Sequence, residues 1–216
     1  KGKLLEDLEL LEQKLRQLGV CNSKPVIVVG NPADECNFGE EGRIVWMFRS
    51  LGHQSTAFVD GGHQALIQAG CPITWELTQP IPGDFAVQRN EFWSIQRDQL
   101  KAHLIAKPAT HNFIAIDTRS PQEFAGTTPY GERRGGHISG AVPFHFKELK
   151  DTNGYLLKSE QIIAKLNQLG IERDTPIVTY CTGGVRSAFF VAVLANLGFT
   201  NVKNYAGSMW EWSASE

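Results

Sequence analysis

The sequence has little excess charge of either sign and no long apolar run, and each absence excludes a class of protein. Its 21 basic and 23 acidic side chains leave a net charge of −2, so no overall electrostatic field would attract the chain to nucleic acid or an acidic membrane. Apolar stretches such as residues 188–195 are far shorter than a membrane span. No signal peptide is recognisable either. Because the net charge is close to zero, any anion that the protein binds must be bound by a local group of residues.

The sequence is also poor in cysteine. Its four cysteines lack CxxC spacing and metal-ligating partners, namely Cys21, Cys36, Cys71 and Cys181. This indicates reduced thiols rather than a disulfide framework or a zinc site, and predicts a cytoplasmic protein. The length of 216 residues, with 42% hydrophobic and 20% charged residues, fits one large globular domain or two of about 100 residues each.

An internal repeat organises the chain. Two pairs of segments recur at one offset of 151 residues: LGV at 18–20 with LGI at 169–171, and PVIV at 25–28 with PIVT at 176–179. An amphipathic helix precedes each Leu-Gly pair, at 4–18 and 159–169, and Gly19 or Gly170 ends it with a left-handed cap. In both copies a loop, a second apolar helix and a short strand follow. This order predicts an α/β fold of parallel sheets flanked by helices.

The second copy contains an upstream part that the first lacks. It comprises a buried strand at 113–117, a turn into a short helix, and the segment GHISGAVP at 136–143. A half-domain would leave a sheet edge uncovered, so we expect that the first copy is N-terminally incomplete, with roughly 50 residues absent before it.

Three segments follow from this organisation. We predict an inactive first domain at 1–75, an interdomain linker at 76–109 and a catalytic domain at 110–216. The linker contains several prolines around an apolar stretch, which is typical of a linker that packs rather than of a loose tether.

One loop of the second copy has the composition of an anion-binding site. A predicted strand at 176–180 leads to Cys181 and then, before an apolar helix at 187–197, to Thr182, Gly183, Gly184, Val185 and Arg186. A thiol at a strand-to-helix turn faces backbone N–H groups and the positive end of a helix dipole, which lower its pKa and bind an anion. The two glycines permit unusual dihedrals, and the arginine adds a positive charge. We therefore interpret Cys181 as a nucleophile rather than as a small residue closing a strand.

The first copy provides an internal comparison. When the copies are aligned on their shared proline, Gly30 takes the position of Cys181. The loop that follows is acidic, with Asp34, Glu35, Glu40 and Glu41. Acidic groups would repel an anionic substrate and raise the pKa of a thiol. We predict that the first copy is catalytically inactive.

The spacing within the loop narrows the chemistry, because Cys181 and Arg186 are separated by four residues. Cysteine phosphatases place five residues there, in a loop wide enough for a tetrahedral phosphate. The shorter loop makes a tighter cradle, which suits a single sulfur carried on the cysteine.

Together these motifs resemble those of the tandem-domain rhodaneses, which are thiosulfate or 3-mercaptopyruvate sulfurtransferases. The matching segments are DTRSPQEFAG at 117–126, RGGHISGA at 134–141, CTGGVRS at 181–187 and GSMWEW at 207–212. With the repeat they cover nearly the whole chain. The resemblance implies two rhodanese-like domains, each with a parallel sheet flanked by helices.

The resemblance also implies a persulfide mechanism at Cys181. The thiolate takes the sulfane sulfur of a small anionic donor, and a thiophilic acceptor, cyanide or a thiol, then removes it. No metal or organic cofactor is implied, and neither nucleic acid nor a membrane is an expected partner. Donor binding is assigned to Arg119 and to loop residues 182–186.

Some residue roles stay open at this point. Arg119 either holds the anionic end of the donor or forms an ion pair with Asp117 or Glu123. Asp117 is predicted to fix the turn that follows its strand. Trp210 and Trp212 either wall the site or fill the core.

The choice of donor depends on few residues. The sequence Thr-Gly-Gly at 182–184 matches neither mammalian thiosulfate enzymes nor mercaptopyruvate enzymes, and Glu123 stands where the latter carry an arginine for the substrate carboxylate. The Arg-Ser ending of the loop resembles bacterial thiosulfate enzymes, so thiosulfate is predicted. The alternatives are 3-mercaptopyruvate or a non-catalytic binding or regulatory module; the short loop disfavours phosphatase or arsenate reductase activity.

Overall fold

The structure is a computed structural model that describes residues 2–105 and 113–214. The end of the predicted linker, 106–109, and the first residues of the predicted catalytic domain, 110–112, lie outside the described residues. Two parallel sheets with flanking helices make up the fold, which confirms the predicted α/β class. Among the residues that the structure describes, no helix is both long and apolar enough to cross a membrane.

The first copy forms the smaller sheet. Its elements are α1 (Leu8–Gln17), β1 (Val26–Val28), α2 (Glu40–Ser50), β2 (Thr56–Phe58) and α3 (Gly62–Gln68). Strands β1 and β2 pair in parallel, with Val26 opposite Thr56. The acidic loop of this copy therefore connects β1 to α2.

The second copy forms the larger sheet. Its elements are α4 (Arg97–Ile105), β3 (Ile114–Asp117), α5 (Pro121–Ala125), β4 (Val142–Pro143), a 3-10 turn (Phe146–Leu149), α6 (Ser159–Gln168), β5 (Ile177–Tyr180), α7 (Val185–Asn196), β6 (Val202–Asn204) and α8 (Ser208–Trp212). The strand order is β4-β3-β5-β6, all parallel. The central strand β5 is buried along its whole length, as a parallel strand covered on both faces should be. Its carboxyl end, where open α/β sheets bind ligands, carries Cys181.

The repeat seen in the sequence recurs in the structure, with small differences in helix bounds. Gly19 and Gly170 adopt left-handed φ values of 81° and 72° after α1 and α6. Helix α1 begins at Leu8 rather than at residue 4, because the Asp7 carboxylate accepts the Leu10 N–H at 2.9 Å and caps the helix there. Helix α7 begins at Val185, two residues earlier than predicted.

Helices α2 and α7, which are equivalent in the two copies, pack against each other and join the copies. At their crossing a Cβ added to Gly42 would lie 2.5 Å from the Phe189 Cα, so only glycine permits this approach. Trp46 of α2 and Phe189 belong to the same apolar cluster, which also contains the α6 side chain Ile162. One core therefore spans both copies.

The predicted linker packs only in its second part. Leu77 and Ile81 are 90% and 87% exposed, whereas Phe85 and Leu100 are fully buried. Helix α4 lies in this second part and contributes Leu100 to the cluster beneath the larger sheet. The expectation that the whole linker packs is thus wrong for its first part.

Candidate active site

Cys181 lies at the turn between β5 and α7 and is almost fully buried. Gly184, with a φ of 81°, is the N-cap of α7, and its backbone N–H donates to the Cys181 Sγ at 3.1 Å. The Ser187 hydroxyl lies 3.6 Å from the same sulfur. The thiol thus sits in a cradle of donors at the positive end of α7.

The environment of the sulfur favours its ionised form. Burial alone would raise the pKa of the Cys181 thiol, but the nearby Arg186 guanidinium, the hydrogen bonds from Ser187 and the backbone N–H of Gly183 lower that pKa below its ordinary value. A thiolate is the nucleophilic form of cysteine. The geometry therefore supports nucleophilic attack by this sulfur.

The charge of Arg186 is held by a buried carboxylate. Its two terminal nitrogens donate to the Glu123 oxygens at 2.7 and 2.8 Å, and both side chains are nearly inaccessible to solvent. Burial would raise the pKa of Glu123, yet the hydrogen bonds and charge of Arg186 lower it to about 2. Arg186 is thus a fixed positive charge beside the thiolate rather than a free counter-ion for a donor.

The Thr182 hydroxyl connects this ion pair to a second carboxylate. It accepts a hydrogen bond from Arg186 at 2.7 Å and lies 3.0 Å from oxygens of both Glu123 and Glu132. Glu132 itself is buried. Sequence reasoning missed Glu132, because it lies in a glycine-rich loop that carries no motif of its own.

A cavity of about 180 Å³ opens above Cys181. Its floor is formed by residues of the predicted loop, namely Cys181, Thr182, Gly183, Val185 and Arg186. Its walls are Trp210 and Tyr130 from the second copy and Phe38 and Glu40 from the first. Four of the five predicted loop residues therefore line one cavity with the sulfur, and Gly184 holds that sulfur from behind.

Gly183 is needed for a different reason than the sequence suggested. Its backbone is not among the left-handed glycines, but a Cβ added there would enter the ring of Trp210. Trp210 thus walls the cavity, with its indole N–H donating to the Tyr130 carbonyl at 3.0 Å. Trp212 instead packs edge-on against Tyr205 at the core.

Arg119 is not among the residues that line the cavity above Cys181, and its contact with the donor stays a prediction. Its guanidinium is completely buried and bonds Asp117 at 2.7 and 2.9 Å and the Gly136 carbonyl at 2.7 Å. The alternative interpretation, an ion pair with Asp117, is the one seen. Asp117 also accepts the Arg119 backbone N–H at 3.0 Å, which confirms its role in the turn.

A sequence model of the rhodanese-like domain matches residues 96–215, more than half of the chain and all of the cysteine loop. The chain belongs to the rhodanese family. The match reaches back into the predicted linker as far as α4.

Similar proteins are sulfurtransferases and a sulfur carrier. The sulfur carrier protein TtuD of Thermus thermophilus is 32% identical over 207 residues, which cover 92% of this chain and 71% of TtuD. Thiosulfate sulfurtransferase of Azotobacter vinelandii is 32% identical over 83% of this chain and 64% of that enzyme. The structure of SseA from Escherichia coli, described as a 3-mercaptopyruvate sulfotransferase, has a TM-score of 0.76 at 28% identity and covers 92% of this chain and 72% of SseA. This rhodanese chain thus spans about two thirds of the length of these relatives.

Two further residues support the cysteine loop of this rhodanese chain, and sequence reasoning assigned a role to neither, although Ser208 lies within the GSMWEW segment. The Ser208 hydroxyl accepts the Cys181 backbone N–H at 3.0 Å, and Ser208 holds a left-handed φ of 51°, which is unusual for a residue with a side chain. Asn204 accepts the Ser187 hydroxyl at 2.7 Å and donates to the Gly184 carbonyl at 3.2 Å. Both hold the loop from behind, on a part of the chain about 20 residues after it.

Proposed function

We propose that this protein transfers a sulfane sulfur from thiosulfate to a thiophilic acceptor, cyanide or a thiol, through a persulfide on Cys181. The observation that carries the proposal is a buried thiol whose sulfur receives the Gly184 N–H at 3.1 Å, at the floor of a cavity that opens outward. The names of the related sulfurtransferases support the same reaction class.

The reaction consists of two displacements at sulfur. In the first, the Cys181 thiolate attacks the outer sulfur of thiosulfate; the bond between the two thiosulfate sulfurs breaks, and its electron pair leaves with sulfite. In the second, the acceptor attacks the outer sulfur of the Cys181 persulfide, and the thiolate is regenerated as leaving group. With cyanide the product is thiocyanate, and no external oxidant or reductant is needed.

The loop suits the persulfide intermediate better than a permanently bound dianion. Arg186 is held by Glu123, so the negative charge on sulfur is met by this fixed cation together with backbone N–H groups and the α7 dipole. Thr182, Gly183, Val185 and Arg186 surround the space that an outer sulfur would enter. We propose these residues, with Gly184, as the binding loop; a contact of Arg119 with the donor stays a prediction.

The test is thiocyanate formation from thiosulfate and cyanide by the wild type, Cys181→Ser and the matched control Cys71→Ser, whose thiol is exposed. We expect activity in the wild type and control and none in Cys181→Ser. Mass spectrometry after thiosulfate treatment should show a gain of about 32 Da on the peptide containing Cys181, the mass of one sulfur. Turnover by Cys181→Ser would contradict the proposal.

The other substrate assignments are outcomes of the same experiment. A mass gain with 3-mercaptopyruvate but not with thiosulfate would assign the donor to that carboxylate. No mass gain with either would favour a binding or regulatory module. The inactive role of the first copy, the segment boundaries and a cytoplasmic location remain predictions.

A further inference from the structure

Arg43 of the first copy is partly buried against the back of the cysteine loop. Its guanidinium donates to the Gly184 carbonyl at 3.1 Å and to the Gly2 carbonyl at 2.6 Å, and it stacks over the Trp46 ring at 4.3 Å. Arg43 belongs to α2 of the first copy, which has a glycine at the position of Cys181. It thus contacts the catalytic loop from across the boundary between the two copies.

This cation has no carboxylate partner within ion-pair distance among residues 2–105 and 113–214. A buried charge without an opposite charge is unfavourable. Burial accordingly lowers the pKa of Arg43 to about 10, and the group that counteracts this effect is Cys181. The Cys181 sulfur therefore contributes negative charge that partly offsets the burial of Arg43.

The contact also bears on the geometry of the loop. Gly184 provides the N–H that points at the Cys181 sulfur, while its carbonyl receives both Arg43 and the Asn204 amide. A displacement of Gly184 would break all three hydrogen bonds together. Arg43 is placed to hold the Gly184 N–H in position and to add positive charge behind this peptide group.

We propose that Arg43 is a positioning residue that stabilises the anionic sulfur of Cys181, so that the copy without a cysteine supplies part of the electrostatics of the other copy's active site. The inference rests on the proposed role of Cys181 as the nucleophile. It would give the first copy a part in the reactivity of the other copy's cysteine as well as in the shared core.

Other charged and titratable groups also face the sulfur and set the background for a test. Arg186 on α7 is paired with Glu123 on α5, and Glu132 lies beyond Thr182. Tyr130 and Glu40 line the cavity on its open side. Substitution of Arg43 leaves these groups in place, so a change in the titration of Cys181 would report Arg43 itself.

The experiment measures the rate of iodoacetamide alkylation of Cys181 against pH by peptide mass spectrometry. For Arg43→Gln we expect the midpoint to move to higher pH, so that alkylation at pH 7 slows about tenfold for a shift of one pH unit. Arg43→Lys should restore the midpoint, because it retains the positive charge. No sulfur donor is used, so a protein inactive with thiosulfate would still give this result.

The matched control is Arg49→Gln. Arg49 lies on the same helix, is half-buried, donates to the Thr56 carbonyl at 3.2 Å and stacks over Trp93 at 5.7 Å, but it makes no contact with the loop. A wild-type midpoint in Arg43→Gln, or an equal shift in Arg49→Gln, would overturn the proposal. If Arg43→Gln does not fold, Arg43→Lys decides alone: a tenfold slowing at pH 7 despite the retained charge would overturn it.

Discussion

The Arg186 guanidinium beside Cys181 is paired with the Glu123 carboxylate. Because this ion pair is buried, Glu123 should have a measurable effect on stability. Its pKa in the folded protein is about 2, below the ordinary value of 4.5, so the unfolded chain binds the proton more readily. The Glu123–Arg186 pair therefore stabilises the fold fully above about pH 4.5, and this stabilisation is lost as the pH falls towards 2. Glu123→Gln should lower the free energy of unfolding by about 3 kcal/mol at pH 7, because it leaves a buried arginine unpaired.

Urea unfolding at a series of pH values checks this expectation. The wild-type and Glu123→Gln curves should differ most near neutral pH and converge between pH 4.5 and pH 2. Glu148→Gln is the matched control, because its pair with Lys165 is largely exposed and should contribute little. Curves that stay parallel for Glu123→Gln would contradict the assigned pKa.

At the residue scale, sequence reasoning found the cysteine loop but not the residues that support it. Cys181 and its loop were predicted because the cysteine, the glycines and the arginine are contiguous. Arg119 remained ambiguous, since an Asp-x-Arg segment is equally compatible with an ion pair and with an anion site. Ser208 lies in the quoted GSMWEW segment but was given no role, and Arg43 was missed, because each contacts a backbone group of the loop rather than a side chain.

At the scale of elements, the crossing of α2 and α7 provides a prediction in which two effects oppose each other. Gly42 lies inside α2, where alanine would stabilise a free helix by about 1 kcal/mol. A Cβ there would lie 2.5 Å from the Phe189 Cα, and overpacking of this kind costs about 1–3 kcal/mol. The obstacle is backbone, which cannot rotate away, so we expect Gly42→Ala to destabilise the protein.

Thermal or urea unfolding shows directly whether Gly42→Ala raises or lowers the stability of the protein. Gly42→Ala should unfold at lower temperature and lower urea concentration than the wild type. A more stable variant would mean that the helices separate readily and that helix propensity decides. The far-UV circular dichroism should be unchanged in either case, because the helix itself tolerates alanine.

Element types were predictable where the apolar periodicity was strong, and their ends depended on local caps. Helix α1 was predicted from residue 4 because leucines continue upstream of its true start. The Asp7 cap ends that pattern, and residues 2–6 run instead along the other copy, where Gly2 meets Gly183. Such a contact is non-local, so no window of sequence reveals it.

At the scale of the whole molecule, the two copies contact each other in corresponding ways. Gly2 precedes α1 and packs on the cysteine loop, while Gly154 precedes α6 and packs on Pro32 and Ala33 of the acidic loop, each with a left-handed φ. Each copy thus braces the loop of the other. The sequence repeat predicted two similar units, but not that each would support the loop of its neighbour.

The acidic loop is braced further by a buried ion pair between the copies, which allows a last prediction. Glu41 lies 3.1 Å from the Lys150 ammonium, both side chains are buried, and the ammonium also lies 4.3 Å from the Phe189 ring. Lys150→Met should cost about 3–5 kcal/mol, because it leaves the Glu41 charge buried alone. Adding Glu41→Gln removes that charge, so the double variant should lose less than the sum of the single variants.

Urea unfolding of the two single variants and the double variant measures this coupling, with Lys165→Met, from the exposed pair, as a control of small effect. Additive losses would mean that the pair does not hold the copies together. Glu41 lies in the first turn of α2, and neither Glu41 nor Lys150 lines the cavity above Cys181, so the pH midpoint of Cys181 alkylation should stay unchanged while stability falls. Arg43→Gln should move that midpoint, and the contrast would separate the two contributions of the first copy: Glu41 stabilises the interface, and Arg43 tunes the sulfur.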